Sequence, residues 1–134
     1  MKGDWSNTGT FTPRQGTVTF NGTGTQTIND SNSWYGLSIT TTSPRTVYFE
    51  SGATQSIQSG GSLILTGIAS NILTLAPLTP ASAWNLQLNT AGVTQNISYV
   101  SVSYSDAGPS PTYATILAGN NVTDGGNNIN WNFG

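Results

Sequence analysis

Residues 36–49 read GLSITTTSPRTVYF, and this stretch decides the fold. It holds two alternating apolar doublets, Leu37 with Ile39 and Val47 with Phe49, about ten residues apart on either side of a proline-containing loop. Alternation with a period of two is typical of a β-strand that buries one face. Both doublets therefore predict short strands joined by a turn.

The same pair of strand-like sites recurs along the chain. The first site of each pair is Val18/Phe20, Leu37/Ile39, Leu63/Leu65 and Leu86/Leu88, and the second is Ile28, Val47/Phe49, Leu73/Leu75 and Ile97. The recurrence is about 19 to 26 residues, which is within the range typical of solenoids. Short strands cannot bury an apolar face alone, whereas stacked units bury a continuous core. We therefore expect one all-β domain over residues 1–134, a parallel β-solenoid of about four to six rungs.

Other folds are weighed against this pattern. No stretch has a sustained period of 3.6 residues, so essentially no helix is expected. Pro77 and Pro80 interrupt the alternation and predict a loop. An antiparallel β-sandwich shares much of the alternation and remains the alternative. The repeated offset between paired doublets favours the solenoid.

Composition excludes several classes of function. Charged residues make up 6% of the chain, the net charge is −2, and the only cations are Lys2, Arg14 and Arg45. Nucleic-acid binding requires a basic surface, which these residues cannot form. No apolar run is long enough to insert into a membrane. The chain has no cysteine and no histidine, so disulfides and thiolate metal sites are impossible. We expect no cofactor.

The first five residues, MKGDW, lack the apolar stretch of a secretory signal. Two interpretations fit this start: a cytoplasmic chain, or a module cut from a larger exported protein. A surface rich in Thr, Asn, Ser and Gly with few lysines favours the second interpretation. The predicted location is therefore extracellular or at the cell surface.

Several segments resemble a repeat of large bacterial surface proteins of the adhesin-like or autotransporter-like kind. They are residues 5–11 (WSNTGTF), 16–22 (GTVTFNG) and 34–39 (WYGLSI), while residues 100–107 (VSVSYSDA) and 124–133 (DGGNNINWNF) resemble the terminal unit of that family. The likeness covers most of the chain but not residues 66–82. It implies a right-handed parallel β-helix at the cell surface and implies no catalytic residue. The function of such proteins is mostly unassigned.

The acidic residues are Asp4, Asp30, Glu50, Asp106 and Asp124. No two of them fall at the same point of successive rungs, so no carboxylate pair of the kind that hydrolyses polysaccharides is expected. The aspartates at 30, 106 and 124 lie within two residues of Asn or Gly and are interpreted as turn residues, and Glu50 is expected to face water. The DGGNN segment at residues 124–128 offers oxygens to calcium, but a turn is the better interpretation and no metal site is expected.

The candidate binding residues are Trp5, Trp34, Trp84 and Trp131. A row of exposed indoles along a solenoid would form a groove on which sugar rings stack. The competing interpretation places Trp34 and Trp84 in corners of the core and Trp131, with Phe133, as a cap on the open end. The threonines at 17, 19, 23, 25 and 27 would favour ice binding only if the array repeated on every rung, and later rungs carry other residues.

The sequence thus predicts a non-catalytic structural or adhesive module that contacts glycan or cell-surface polysaccharide. The alternative is a subunit of a fibre or repeat array formed by end-to-end stacking, because terminal rungs expose unpaired backbone edges. Ice binding and polysaccharide degradation are the weaker hypotheses.

Overall fold

A computed structural model describes residues 1–134 of the chain. All of its regular elements are strands, and it contains no helix. The strands are β1 (Thr17–Phe20), β2 (Gln26–Ile28), β3 (Asn32–Thr40), β4 (Arg45–Phe49), β5 (Thr54–Thr66), β6 (Leu73–Pro77), β7 (Trp84–Leu88), β8 (Thr94–Ser98), β9 (Val100–Val102), β10 (Ser105–Asp106), β11 (Ile116–Leu117), β12 (Val122–Asp124) and β13 (Trp131–Asn132). The expectation of an all-β chain is confirmed, and no element is long or apolar enough to be a membrane-spanning helix.

The strands form parallel sheets. The first sheet has the order β1-β3-β5-β7-β10, with β8 also paired to β5, and the second has the order β12-β9-β6-β4-β2. A third, small sheet contains β11 and β13. Every pair of these strands is parallel. A β-sandwich of the immunoglobulin type is built from antiparallel sheets, so the observed pairing argues against that alternative.

A break in register divides the first sheet. Residues 32–34 pair with residues 55–57, whereas residues 36–40 pair with residues 62–66. We call the first group of pairs, continued by β7 and β10, ladder I; we call the second group, with β1 and β8, ladder II. The second sheet is ladder III. From β3 to β9, strands of ladders I, II and III follow one another in that order, and after β10 the short β11 of the third sheet takes the place of a ladder II strand.

Two glycines flank the break in register, and neither has room for a side chain. A Cβ atom at Gly61 would lie 2.0 Å from the backbone oxygen of Tyr35, and one at Gly36 would lie 2.3 Å from the Oγ1 of Thr17. Neither distance is tolerable for a side-chain carbon, so these close approaches require glycine. The chain bulges at Tyr35 in β3 and between residues 58 and 61 in β5.

The expected stacking of the first doublets is confirmed for three of the four. Val18 pairs with Leu37, and Leu37 pairs with Leu63. The predicted stacking of the fourth doublet was wrong. Leu63 pairs next with Gln95, whereas Leu86 and Leu88 belong to ladder I, where they pair with Gln55 and Ile57. The second series is displaced as well: Val47 pairs with Leu75, and Ile97 lies in ladder II.

The core lies between the three ladders. It consists of 20 buried apolar residues that alternate along the strands with outward residues. Its two largest members are Trp34 and Trp84, and the ring of Trp84 stacks on Phe49 with centroids 3.9 Å apart and an interplanar angle of 6°. The prolines correctly predict a loop only from residue 78, because residues 78–83 are exposed and outside the strands. Pro77 itself is the buried last residue of β6 and pairs with Phe49, so its expected place in the loop was wrong. Full burial of a large apolar side chain stabilises the fold by about 1.5–3 kcal/mol, so the core supplies most of the driving force.

Candidate functional site

Two of the four tryptophans are not available to a ligand. Trp34 and Trp84 are 0% exposed. The Nε1 of Trp34 donates to the Oε1 of Gln55 at 2.9 Å, and the Nε1 of Trp84 donates to the backbone oxygen of Ser103 at 3.0 Å. Their polar groups are therefore satisfied inside the protein and their faces are covered by the core. Stacking on a sugar remains a prediction only for Trp5 and Trp131.

Trp5 and Trp131 are half-buried and lie at opposite ends of the ladders. Trp5 bridges to Ile28 at the outer edge of ladder III and packs 5.0 Å from Phe11. Trp131 lies in β13 and stacks on Phe133 with centroids 5.8 Å apart. The structure thus brings Trp5 next to the buried Trp34, at 4.9 Å, and keeps Trp131 apart. The four indoles do not form one exposed row.

Each of the five carboxylates accepts a hydrogen bond from a backbone N–H. The donors are Thr27 for Asp4, Asn7 for Asp30, Asp30 for Glu50, Gly108 for Asp106 and Gly126 for Asp124. The last two bonds span two residues, as expected of turn aspartates. Asp30 instead holds a distant segment, because its Oδ2 also accepts from the Oγ of Ser6 at 3.0 Å.

The expectation that Glu50 faces water was wrong, because its side chain is half-buried against the backbone of Asp30. Asp30 and Glu50 lie at the same corner of neighbouring strands, so the expectation that no two acids share such a position was wrong for this pair. No three potential metal-binding side chains come together. The carboxylates therefore organise turns and join neighbouring segments.

Arg45 is the most buried charged residue. It is 6% exposed, and its guanidinium donates to the backbone oxygens of Phe20 at 3.0 Å and Thr40 at 3.1 Å. A further bond runs to the Oε1 of Gln26, while the Nε atom has no partner. Burial lowers the pKa of Arg45 below its ordinary value, because desolvation disfavours the charged form. These contacts connect ladder II to ladder III at the buried side of the corner between them.

A surface cleft of about 250 Å³ lies at this same corner. It is lined by Asn21, Gly22, Thr23, Thr40, Thr41, Thr42, Thr66, Gly67 and Ile68. Thr40 and Thr66 are partners in ladder II, so their side chains lie one above the other at the edge of the cleft. None of the lining residues is titratable, so the cleft can bind a neutral polar ligand by hydrogen bonds but holds no acid, base or activated nucleophile.

A column of hydroxyls runs along the outer face of ladder III. Thr46 pairs with Thr74, Thr74 with Ser101, and Ser101 with Thr123. Neighbouring strands are about 4.8 Å apart, so the column is straight and regular. Half-buried Tyr48 lies in the adjoining column, paired with Thr27 and Ala76.

The sequence did not predict this column, because threonines were expected to form an array only at a constant spacing. The available signal was the step from a hydroxyl residue to an inward apolar residue, as in Thr46-Val47, Thr74-Leu75 and Ser101-Val102. The spacing of that step varies because loops of different length separate the strands.

Comparisons with models of protein families, with curated proteins and with solved structures give no match to this chain. The site is therefore interpreted from its own chemistry.

Proposed function

We propose that the chain is a right-handed parallel β-helix of five rungs, one for each strand of ladder III. Two features support this architecture: the three ladders are parallel, and the chain visits them in a fixed order. Parallel strands of one sheet are joined by right-handed crossovers in about 98% of cases, which supports the handedness.

We further propose that this β-helix is a non-catalytic adhesive module of a bacterial cell-surface or secreted protein, and that it contacts neutral glycans. The observation that carries the glycan proposal is the column formed by Thr46, Thr74, Ser101 and Thr123 beside Tyr48. Regularly spaced hydroxyls offer donors and acceptors to sugar hydroxyls, and an aromatic ring offers an apolar platform for a sugar face. The location at the cell surface rests on the resemblance of the repeat and terminal segments.

The non-catalytic part of the proposal is supported by the acids. Acid–base hydrolysis of glycosides uses two carboxyl groups placed across one bond. Here all five carboxylates already accept backbone hydrogen bonds, each from a different residue. Their arrangement fits a role in holding turns.

The test is retention of the purified chain on insoluble polysaccharides and on a glycan array, with tryptophan emission as a second readout. We expect a neutral polysaccharide to be retained, and Tyr48→Ala to lower the affinity by about tenfold, which corresponds to about 1.4 kcal/mol. The matched control is Gln87→Ala, an outward substitution on ladder I that leaves the column untouched. Absence of retention by every glycan, together with unchanged emission, would refute the adhesive role.

A second candidate function is that of a subunit in an end-to-end array. It is favoured by the last strands of the chain, because β12 pairs only with β9 and β13 only with β11. Their outer edges therefore carry backbone groups without a strand partner. Sedimentation at increasing concentration tests this candidate, and a constant monomer mass would exclude it.

A further inference from the structure

The two ends of the ladders are different surfaces. At the C-terminal end, the outer edges belong to β12, to β13 and to Ile129, which bridges only to Asp106. Ile129 is 54% exposed. At the N-terminal end, residues 1–5 lie along β1 and β2, where the backbone N–H of Asn21 donates to Met1 and that of Trp5 donates to Thr27.

The N-terminal segment still leaves an open edge. Trp5 directs both its backbone N–H and its C=O toward ladder III, donating to Thr27 at 2.9 Å and accepting from Asn29 at 2.9 Å. Adjacent residues of an extended strand direct these groups to the opposite side. Asp4 and Ser6 therefore direct their backbone groups away from the protein, where a further strand can pair.

Charge also distinguishes the two ends. The first rung carries the exposed cations Lys2 and Arg14 together with two carboxylates, Asp4 and Asp30. Asp124 is the only charged side chain among residues 107–134, and it is exposed on β12. Both exposed cations of the chain therefore lie at the N-terminal end, whereas the C-terminal end carries an acid and no cation, which gives the two surfaces partial electrostatic complementarity.

We propose that the C-terminal end of one copy docks on the N-terminal end of a second copy and continues the ladders from one molecule into the next. This inference rests on the proposed β-helix and gives the end-to-end array its polarity. Only head-to-tail stacking keeps the strands parallel across the junction, since head-to-head contact would reverse their direction. A head-to-tail contact uses two different surfaces and does not close on itself, so the product is a linear filament.

The test uses substitutions at Thr123, which is exposed on β12 and next to Asp124. We expect the mass of the wild-type chain, measured by sedimentation velocity, to rise with concentration and to fall as salt screens the charges. Thr123→Lys places a cation on the negative end and weakens association several-fold, whereas Thr123→Glu strengthens it. The matched control is Thr46→Lys, the same change in the same hydroxyl column but within the stack. It leaves association unchanged.

Two results would overturn the inference: a wild-type mass that stays monomeric at every concentration, or a Thr46→Lys variant that is weakened as much as Thr123→Lys, which would indicate side-by-side contact. Glycan retention is measured on the same samples. If the chain stays monomeric but retains glycan, the filament is refuted and the adhesive role stands. If it forms filaments but retains no glycan, the adhesive role is refuted and the filament stands.

Discussion

Replacement of Trp84 by alanine tests whether the tryptophans belong to the core. Trp84 is 0% exposed, its ring stacks 3.9 Å from that of Phe49, and its Nε1 donates to Ser103. Truncation of a buried tryptophan removes about 3–5 kcal/mol of stability. The parallel ring stack places Trp84→Ala in the upper part of this range, because an aromatic pair contributes about 0.5–1.5 kcal/mol beyond its buried area. We therefore expect a loss of about 4 kcal/mol, a large share of the 5–15 kcal/mol typical of a native domain.

The loss is measured by urea unfolding followed by far-ultraviolet circular dichroism, which does not depend on the tryptophan that is removed. With an m-value of about 2 kcal/mol/M, the midpoint moves down by about 2 M. Trp84→Phe keeps the stack and loses the hydrogen bond to Ser103, so its loss is smaller, about 1–2 kcal/mol. Trp131→Ala is the matched control, because Trp131 is half-buried at the end of the chain. If Trp84→Ala moves the midpoint no further than Trp131→Ala, Trp84 does not contribute to stability as a core residue.

Two further predictions concern stability and use the same unfolding assay. Gly61→Ala forces a Cβ to 2.0 Å from the backbone of Tyr35, so we expect the variant to lose more than about 3 kcal/mol of stability or to fail to fold. Gly24 has open space around it, so Gly24→Ala is the control and changes the stability by less than about 0.5 kcal/mol. Equal effects at the two glycines would contradict the close approach in β5. Gln55→Leu leaves the Nε1 of Trp34 without an acceptor and removes one of the three hydrogen bonds of the Asn32 Nδ2, and we expect a loss of about 2–4 kcal/mol. Gln58→Leu, on the outer face of the same strand, is the control and changes stability by less than about 1 kcal/mol, so a similar loss at Gln58 would refute the buried amide argument.

The apolar doublets predict strands well because alternation reports burial of one face. The pairing of Leu37 with Leu63 follows from their equivalent positions in successive doublets. The next partner, Gln95, was hidden because it is polar. Its Nε2 donates to the backbone oxygen of Thr115, and its Oε1 accepts from the N–H of Leu117. A side-chain amide thus replaces backbone pairing between β8 and β11, and an apolar pattern cannot reveal such a substitution.

Buried polar residues hide other strands in the same way. Gln26, Arg45 and Gln55 all occupy inward positions, where their side chains make hydrogen bonds inside the protein. In a pattern based on hydrophobicity, each resembles a gap or a turn. The true period of the ladders is therefore visible only when the partners of these polar groups are known.

The candidate site was less predictable than the fold. Spacing placed Trp34 and Trp84 close to apolar doublets, which allowed for burial but did not decide it. Burial depends on the direction of one side chain relative to the corner, and this direction is set by the bulge at Tyr35 and by the loop before β7. The column of Thr46, Thr74 and Ser101 likewise depends on the pairing register of three strands. Loops of different length separate these strands, so the spacing of the hydroxyl residues in the sequence does not reveal that register.

The connection from ladder I to ladder II changes in length from one rung to the next while the ladders keep their register. It is Tyr35 alone in β3, residues 58–61 in β5 and residues 89–93 after β7, and the corresponding connection from β10 to β11 of the third sheet is residues 107–115. This side of the molecule therefore accommodates inserted sequence as an outward loop. A foreign peptide grafted between Ala91 and Gly92, both exposed, would be displayed at this corner without displacing the strands beneath it.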